Sequence, residues 1–209
     1  SNVSKNIKIV VTTYFEHSNE ATKILVNTPI WALGLDFIHG VKNLESLEFI
    51  KNSNKVLIAG VIDGRNIWKS NFEDKLNLLN KISNIVSKEN IIVGTSCSLL
   101  HVPFTLSYED NLDKEIKSWL AFANEKLKEL NLVSKQFFGS KLSLEDIANI
   151  EKNRQDNIQR KVSTKIHNQK IQEEIKNLKK FEREDKFEDR IKAQREFFKY
   201  DFLTTTTIG

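Results

Sequence analysis

An α/β fold built on a parallel sheet is what this sequence predicts, and three observations predict it. Four short apolar runs recur in the first 140 residues: Ile7–Tyr14, Trp31–Phe37, Val56–Ile62 and Ile91–Thr95. None alternates apolar with polar residues, as strands covered on both faces need not. Amphipathic stretches at helical spacing separate them, so strand and helix follow each other in the βα order of a parallel sheet.

Each intervening helix carries its own signal. Ser70-Asn71-Phe72-Glu73 has the hydroxyl and the carboxylate three residues on that make a capping box. Leu76, Leu79, Ile82 and Val86 follow on one face at spacings of three and four. A second long helix is expected after Asn111. Its stripe would be Leu112, Ile116, Trp119, Leu120, Ala123, Leu127 and Leu130.

Two closures suit such a sheet: an open doubly wound sheet, or part of a (β/α)8 barrel. No G-x-G-x-x-G follows any run, which removes the main support for a dinucleotide fold. The polar residues gather just after the apolar runs, where a barrel enzyme keeps its site. They are Glu16 and His17, Asp36 and His39, Asp63 to Asn66, and Ser96 to His101. Four units make half a barrel.

From Ser143 the character changes. Ser143-Leu144-Glu145-Asp146 opens a helix expected to reach about Gln159. After a break at Ser163–Asn168, a second helix is expected to run to about Tyr200. No Gly or Pro occurs from Lys141 to Ile208, as long helices require. The stripe of Ile171, Ile175 and Leu178, with Phe181, Phe187, Ile191 and Phe198 beyond, is thin, so this tract reads as an extended connector.

Charge follows the same division. The net charge is +4, but residues 151–200 hold 15 Lys or Arg against 10 Asp or Glu, so the basic excess belongs to the tail. Its signs alternate, which marks a solvated helix laced with i,i+4 pairs. A nucleic-acid footprint would be a stripe of one sign with aromatic residues between. No run approaches the roughly 18 apolar residues of a membrane span. One cysteine, Cys97, permits no internal disulfide, and the reducing cytoplasm is the expected compartment. The chain holds no methionine and opens on Ser1-Asn2 like the remnant of a cleaved tag, so it reads as a piece of a longer protein.

Three constellations could carry chemistry. Cys97 and His101 stand four apart, but zinc takes three or four protein ligands and no second cysteine exists. A buried loop cysteine and a hydrogen-bonded histidine are the alternative. Asp36 and His39 could be an acid–base pair or loop caps. In Asp63-Gly64-Arg65-Asn66, Gly64 suits a turn that needs positive φ, which Asp63 or Asn66 could hold by side-chain bonds. Arg65 could clamp a carboxylate bidentately, or pair within the fold with Asp63 or Asp36.

Several stretches resemble cobalamin-independent methionine synthase. They are "VVTTYFE", "LGLDFIHG", "IAGVIDGRNIW", "VGTSCSLLHVPFTL", "LDKEIKSWLAFANEKLKEL", "STKIHNQKIQ" and the terminal "TTTTIG". They run in order along essentially the whole chain. The resemblance implies the second half of an N-terminal (β/α)8 TIM-type barrel over 1–140 and a helical connector over 141–201. Residues 202–209 would open the catalytic barrel. It implies an S-methyltransferase that carries a methyl group from 5-methyltetrahydrofolate polyglutamate to homocysteine, with a catalytic zinc whose ligands lie outside this chain. It also implies that Ile208 and Gly209 match the first two positions of an Ile-Gly-Ser backbone segment that contacts homocysteine. Arg65 is left as a folate-tail contact or a structural residue. The expected partners are small-molecule substrates and the remainder of the same chain, with no nucleic acid and no membrane. The piece alone is expected to be inactive. A half barrel also leaves two open sheet edges, so a homodimer is expected of the isolated chain. A free-standing module that binds folate polyglutamate without catalysis is the alternative.

Overall fold

The structure, a computed structural model, describes residues 7–179 and 182–199. It divides into two compact units, one ending at Ser163 and one beginning at Thr164.

The first unit is built on strands β1 (Val10–Thr12), β2 (Ala32–Asp36), β3 (Val56–Ile62) and β4 (Ile91–Thr95). They form one sheet in the order β1-β2-β3-β4, and every pairing is parallel. The register sets Val11, Leu33, Leu57 and Ile91 side by side, and Leu35, Ala59 and Val93 in the next row. These rows face the core. Helices α2 (Leu47–Lys51), α3 (Phe72–Ser83) and α5 (Ala123–Phe138) bring Leu47, Ile50, Leu79, Ile82, Val133 and Phe137 to it. Each such aliphatic or aromatic side chain, taken fully out of water, contributes about 1.5–3 kcal/mol. The short α1 (Asn19–Leu25) follows β1.

The opposite face is sparse. Thr12, Gly34 and Ile58 lie in one register row. A Cβ on Gly34 would sit 2.9 Å from Thr12 Cγ2, and one on Gly94 2.8 Å from Ile58 Cγ2. Side chains from β1 and β3 thus occupy the space that glycines on β2 and β4 leave open.

The structure corrects the reading of two helices. The first begins one residue later than the capping box proposed: Asn71, extended at φ −84 and ψ 113, is the N-cap and accepts from Glu73 N. Ser70 is occupied elsewhere, its N–H and C=O held by side chains of other helices. The helix expected after Asn111 is two: α4 (Lys114–Ser118) and α5. Between them the chain runs extended and pairs with residues 67–69, Lys69 N donating to Trp119 O and Ala121 N to Ile67 O, both at 2.8 Å. Those ladder bonds outbid helix propensity over four residues. α5 also buries a different face from the one expected. Leu127 is 52% exposed, whereas Lys126, Glu129, Val133 and Phe137 are buried.

Helix α6 (Leu144–Val162) starts at Ser143 with the expected Ser–Asp capping box. It packs within the first unit, against α3 and the 69–72 segment. In the second unit the single long helix is replaced by α7 (Gln169–Asn177) and α8 (Phe187–Phe198). The charged stretch 182–186 between them offers no apolar position to pack. Phe181 falls outside the described residues. No described helix is long and apolar enough to cross a membrane.

Candidate functional site: the strand-end loops

All four expected polar groups meet at the C-terminal ends of the strands. Asp36, at the end of β2, is fully buried. Its Oδ1 accepts from Ile38 N at 2.8 Å and His39 N at 2.9 Å, and its Oδ2 from Phe15 N at 3.3 Å. The carboxylate is therefore a loop cap, one of the two roles open to it. His39 turns to another partner, its Nε2 standing 3.3 Å from Asp63 Oδ1.

Asp63 organises the next loop. It accepts from Arg65 N at 2.8 Å and from the Asn66 amide. Gly64 N donates to Ser96 Oγ at 3.1 Å. A Cβ on Gly64 would come 2.9 Å from both the carbonyl oxygen and the sulfur of Cys97. Gly64 does not take the positive φ expected of it; glycine is needed here for close approach, and this loop roofs Cys97.

Arg65 is exposed, and its guanidinium lies 4.7 Å from the centre of the Phe15 ring. It makes no ion pair with Asp63 or Asp36. His101 also meets Phe15, its ring 5.1 Å away and edge-on. Phe15 and its neighbour Glu16 hold left-handed backbone at φ 63 and 97, a cost of about 1–3 kcal/mol each. The strain is held by Asp36, which takes the Phe15 N–H, and by Asn43 Nδ2, which donates to Glu16 O at 3.2 Å. Gly40 makes that approach possible, because a Cβ there would lie 2.3 Å from Glu16 O.

Cys97 and His101 are not brought together as a reactive pair. The thiol faces the Ser98 carbonyl at 3.6 Å, and burial pushes its pKa up, against a smaller lowering by Ser96. It stays a thiol at neutral pH and is a poor nucleophile. Among the described residues no group of three His, Cys, Asp or Glu side chains is arranged to hold a metal ion. These described residues do not fit a zinc site. A hollow of about 420 Å³ runs along the sparse sheet face, with Thr12, Tyr14, Ile58, Thr95 and Cys97 on its walls.

Beneath the loops lies a cluster that sequence reasoning missed. Lys126 is completely buried, and Glu129 is 5% exposed. Burial lowers the pKa of Lys126 and of Lys75, and raises that of Glu129 against the opposing bonds from Ser70. The signal was present: Lys126 and Glu129 stand in helical phase with Val133 and Phe137. Ile208 and Gly209 lie outside the described residues.

Parallel βα units with polar strand-end loops define an α/β domain, and the chain's relatives narrow its class. Residues 1–87 match the family described as "Cobalamin-independent synthase, N-terminal domain". Over all 209 residues the chain is 46% identical to a 5-methyltetrahydropteroyltriglutamate–homocysteine methyltransferase of Desulforamulus reducens, covering 27% of that protein. A Listeria monocytogenes protein of the same description is 40% identical over 98% of this chain, and 27% of it is covered. A chloroplastic one from Arabidopsis thaliana is 36% identical over 97% of this chain, and 25% of it is covered. The chain belongs to the cobalamin-independent methionine synthase family and spans about a quarter of the length of these relatives.

Proposed function

We propose that this chain is part of an enzyme that moves a methyl group from 5-methyltetrahydropteroyltriglutamate to homocysteine in the cytoplasm. The observation that carries the reading is the 46% identity along the whole chain to a methyltransferase named for that pair of substrates. In it, residues 1–140 supply the second half of an N-terminal (β/α)8 barrel, 141–201 the connector and 202–209 the opening of a catalytic barrel. The alternation of side chain and glycine across Thr12, Gly34, Ile58 and Gly94 supports the barrel. Barrel interiors are filled in layers contributed by alternate strands.

The catalytic zinc belongs to residues outside this chain. Ile208 and Gly209 contribute backbone contacts to homocysteine. Arg65, exposed and with its guanidinium 4.7 Å from the centre of the Phe15 ring, offers a guanidinium fork to a carboxylate of the triglutamate tail.

A segment exchange tests the reading. The 209 residues replace the matching stretch of the Desulforamulus reducens enzyme, and methionine formation is measured. Turnover within about tenfold of the parent is expected; a soluble, folded chimera without turnover would sink the proposal. The isolated chain is expected to make no methionine and to retain no stoichiometric zinc after dialysis. Its open edges, β1 and β4, are templates for strand pairing, so two copies associate. Light scattering that gives a monomer mass at tens of micromolar would rule that out.

A further inference from the structure

The segment 66–72 joins β3 to α3, and helix α6 holds it almost group by group. Asn153 Nδ2 donates to Ser70 O at 2.8 Å, and Asn157 Nδ2 to the same oxygen at 3.2 Å. Asn153 Oδ1 accepts from Phe72 N at 3.4 Å. Asp156 takes the ammonium of Lys69, and the Arg160 guanidinium lies 5.3 Å from the Trp68 ring centre. Asn153, Asp156 and Asn157 are each only 5% exposed. Helix α5 adds Glu129, which accepts from Ser70 N at 3.0 Å, and Lys126, which donates to Trp68 O at 3.1 Å. Polar side chains buried on a helix are costly unless they are bonded. Here each of these five side chains sends at least one bond to a single seven-residue segment.

That segment continues directly from the loop that carries Asp63, Gly64 and Arg65, and Gly64 rests on Cys97. We propose that α6 is a clamp on the β3 mouth loop: through Asn153, Asp156 and Asn157 it fixes the loop that presents Arg65 and masks Cys97. These are positioning residues, since none of them reaches the mouth itself. The role of Arg65 rests on the proposed function, but the masking of Cys97 does not.

The sole cysteine supplies the readout. The intact 209-residue chain is alkylated with iodoacetamide under native conditions, and backbone amide exchange is followed over residues 63–72. The double variant Asn153→Ala/Asn157→Ala is expected to raise the alkylation rate about tenfold or more, with faster exchange at Ser70 and Phe72, by local opening. Ile50→Ala, in the core beneath the other end of the sheet, serves as a control. Compared at equal residual stability, it should change alkylation less than about threefold. Equal acceleration by both would show global unfolding alone and overturn the clamp. So would faster exchange at 70–72 with no change at Cys97, because the clamp would then end short of the mouth. If the double variant does not fold, Arg160→Gln, which removes the contacts to Trp68, Lys69 O and Asn157 Oδ1, should still give about a threefold rise. An unchanged rate there overturns the proposal. No folate or metal enters the assay, so it can fail while the methyltransferase reading stands.

Discussion

Helices α6 and α7 look alike as sequences and behave differently as structures. Both are dense in charge and poor in apolar residues. In α6 the side chains of Asn153, Asp156 and Asn157 are buried, and they are bonded to the loop ahead of α3 or to its partners. In α7 no side chain is buried: Ile171 and Ile175 stand 51% and 55% exposed, and Leu178, which caps the helix, 48%. The difference lies in what the polar groups are offered. A loop that needs its backbone satisfied can bind a helix as firmly as an apolar groove does. Apolar periodicity registers only the second kind of packing.

The largest break in this contrast should come from Asp156→Ala. It leaves the Lys69 ammonium largely buried without its carboxylate, since Lys69 is 19% exposed at the side chain. Removing one partner of a buried pair costs about 3–5 kcal/mol, and the low end is expected because Lys69 keeps some access to water. Urea denaturation measures it; a loss below about 1 kcal/mol would reduce the pair to a surface contact. Asn153→Ala comes next. It removes the acceptor of Phe72 N, while Asn157 still serves Ser70 O. One unsatisfied buried donor predicts a loss of about 2 kcal/mol, read from the same titration.

How much of this was legible follows from the same physics. β3 and β4 have the limits their apolar runs indicate, because nothing competes with a β-branched run that packs one face on the core. The strand-end residues Asp36, Asp63, Arg65 and Cys97 do converge, since parallel topology forces every strand to end on one side. The break at 119–122 was not legible. Its cause is the pairing of Trp119 and Ala121 with residues about 50 positions earlier, and helical spacing cannot register a distant partner. Nor could the left-handed Phe15 and Glu16 be foreseen. Neither is a glycine, and the conformation is imposed by Asp36 and Asn43 from elsewhere in the chain.

A third, smaller effect concerns Glu129. Burial raises its pKa in the folded chain, so the folded state holds the proton more tightly than the unfolded one. The stabilisation that this brings is complete below the ordinary glutamate pKa and is lost as pH rises through the raised folded value. Glu129→Gln keeps a carbonyl for Ser70 N and removes the charge. Relative to the unmodified chain, the variant should therefore gain stability as pH rises from about 4.5 toward 8. Urea midpoints taken across that range decide it. A gap that closes with rising pH would mean that Lys126 and Lys69 pair with the carboxylate strongly enough to outweigh burial.

The smallest effect belongs to α7, and it is the sharpest test of the contrast. Ile175 is an apolar residue on an amphipathic helix, and by pattern alone Ile175→Ser should damage a core. Its side chain is already 55% exposed, and the helix buries nothing. Little apolar area returns to water on substitution, so the loss expected in the transition of the first unit is within about 0.5 kcal/mol. Helix α7 itself should keep its ellipticity, since serine and isoleucine are helix formers of similar strength. A loss above about 1.5 kcal/mol in the isolated chain would show that Ile175 is covered in solution. If that loss appeared only at concentrations where light scattering gives a dimer mass, the covering surface would be a second copy of the chain. The contrast between the two helices would then be one of partner, not of packing.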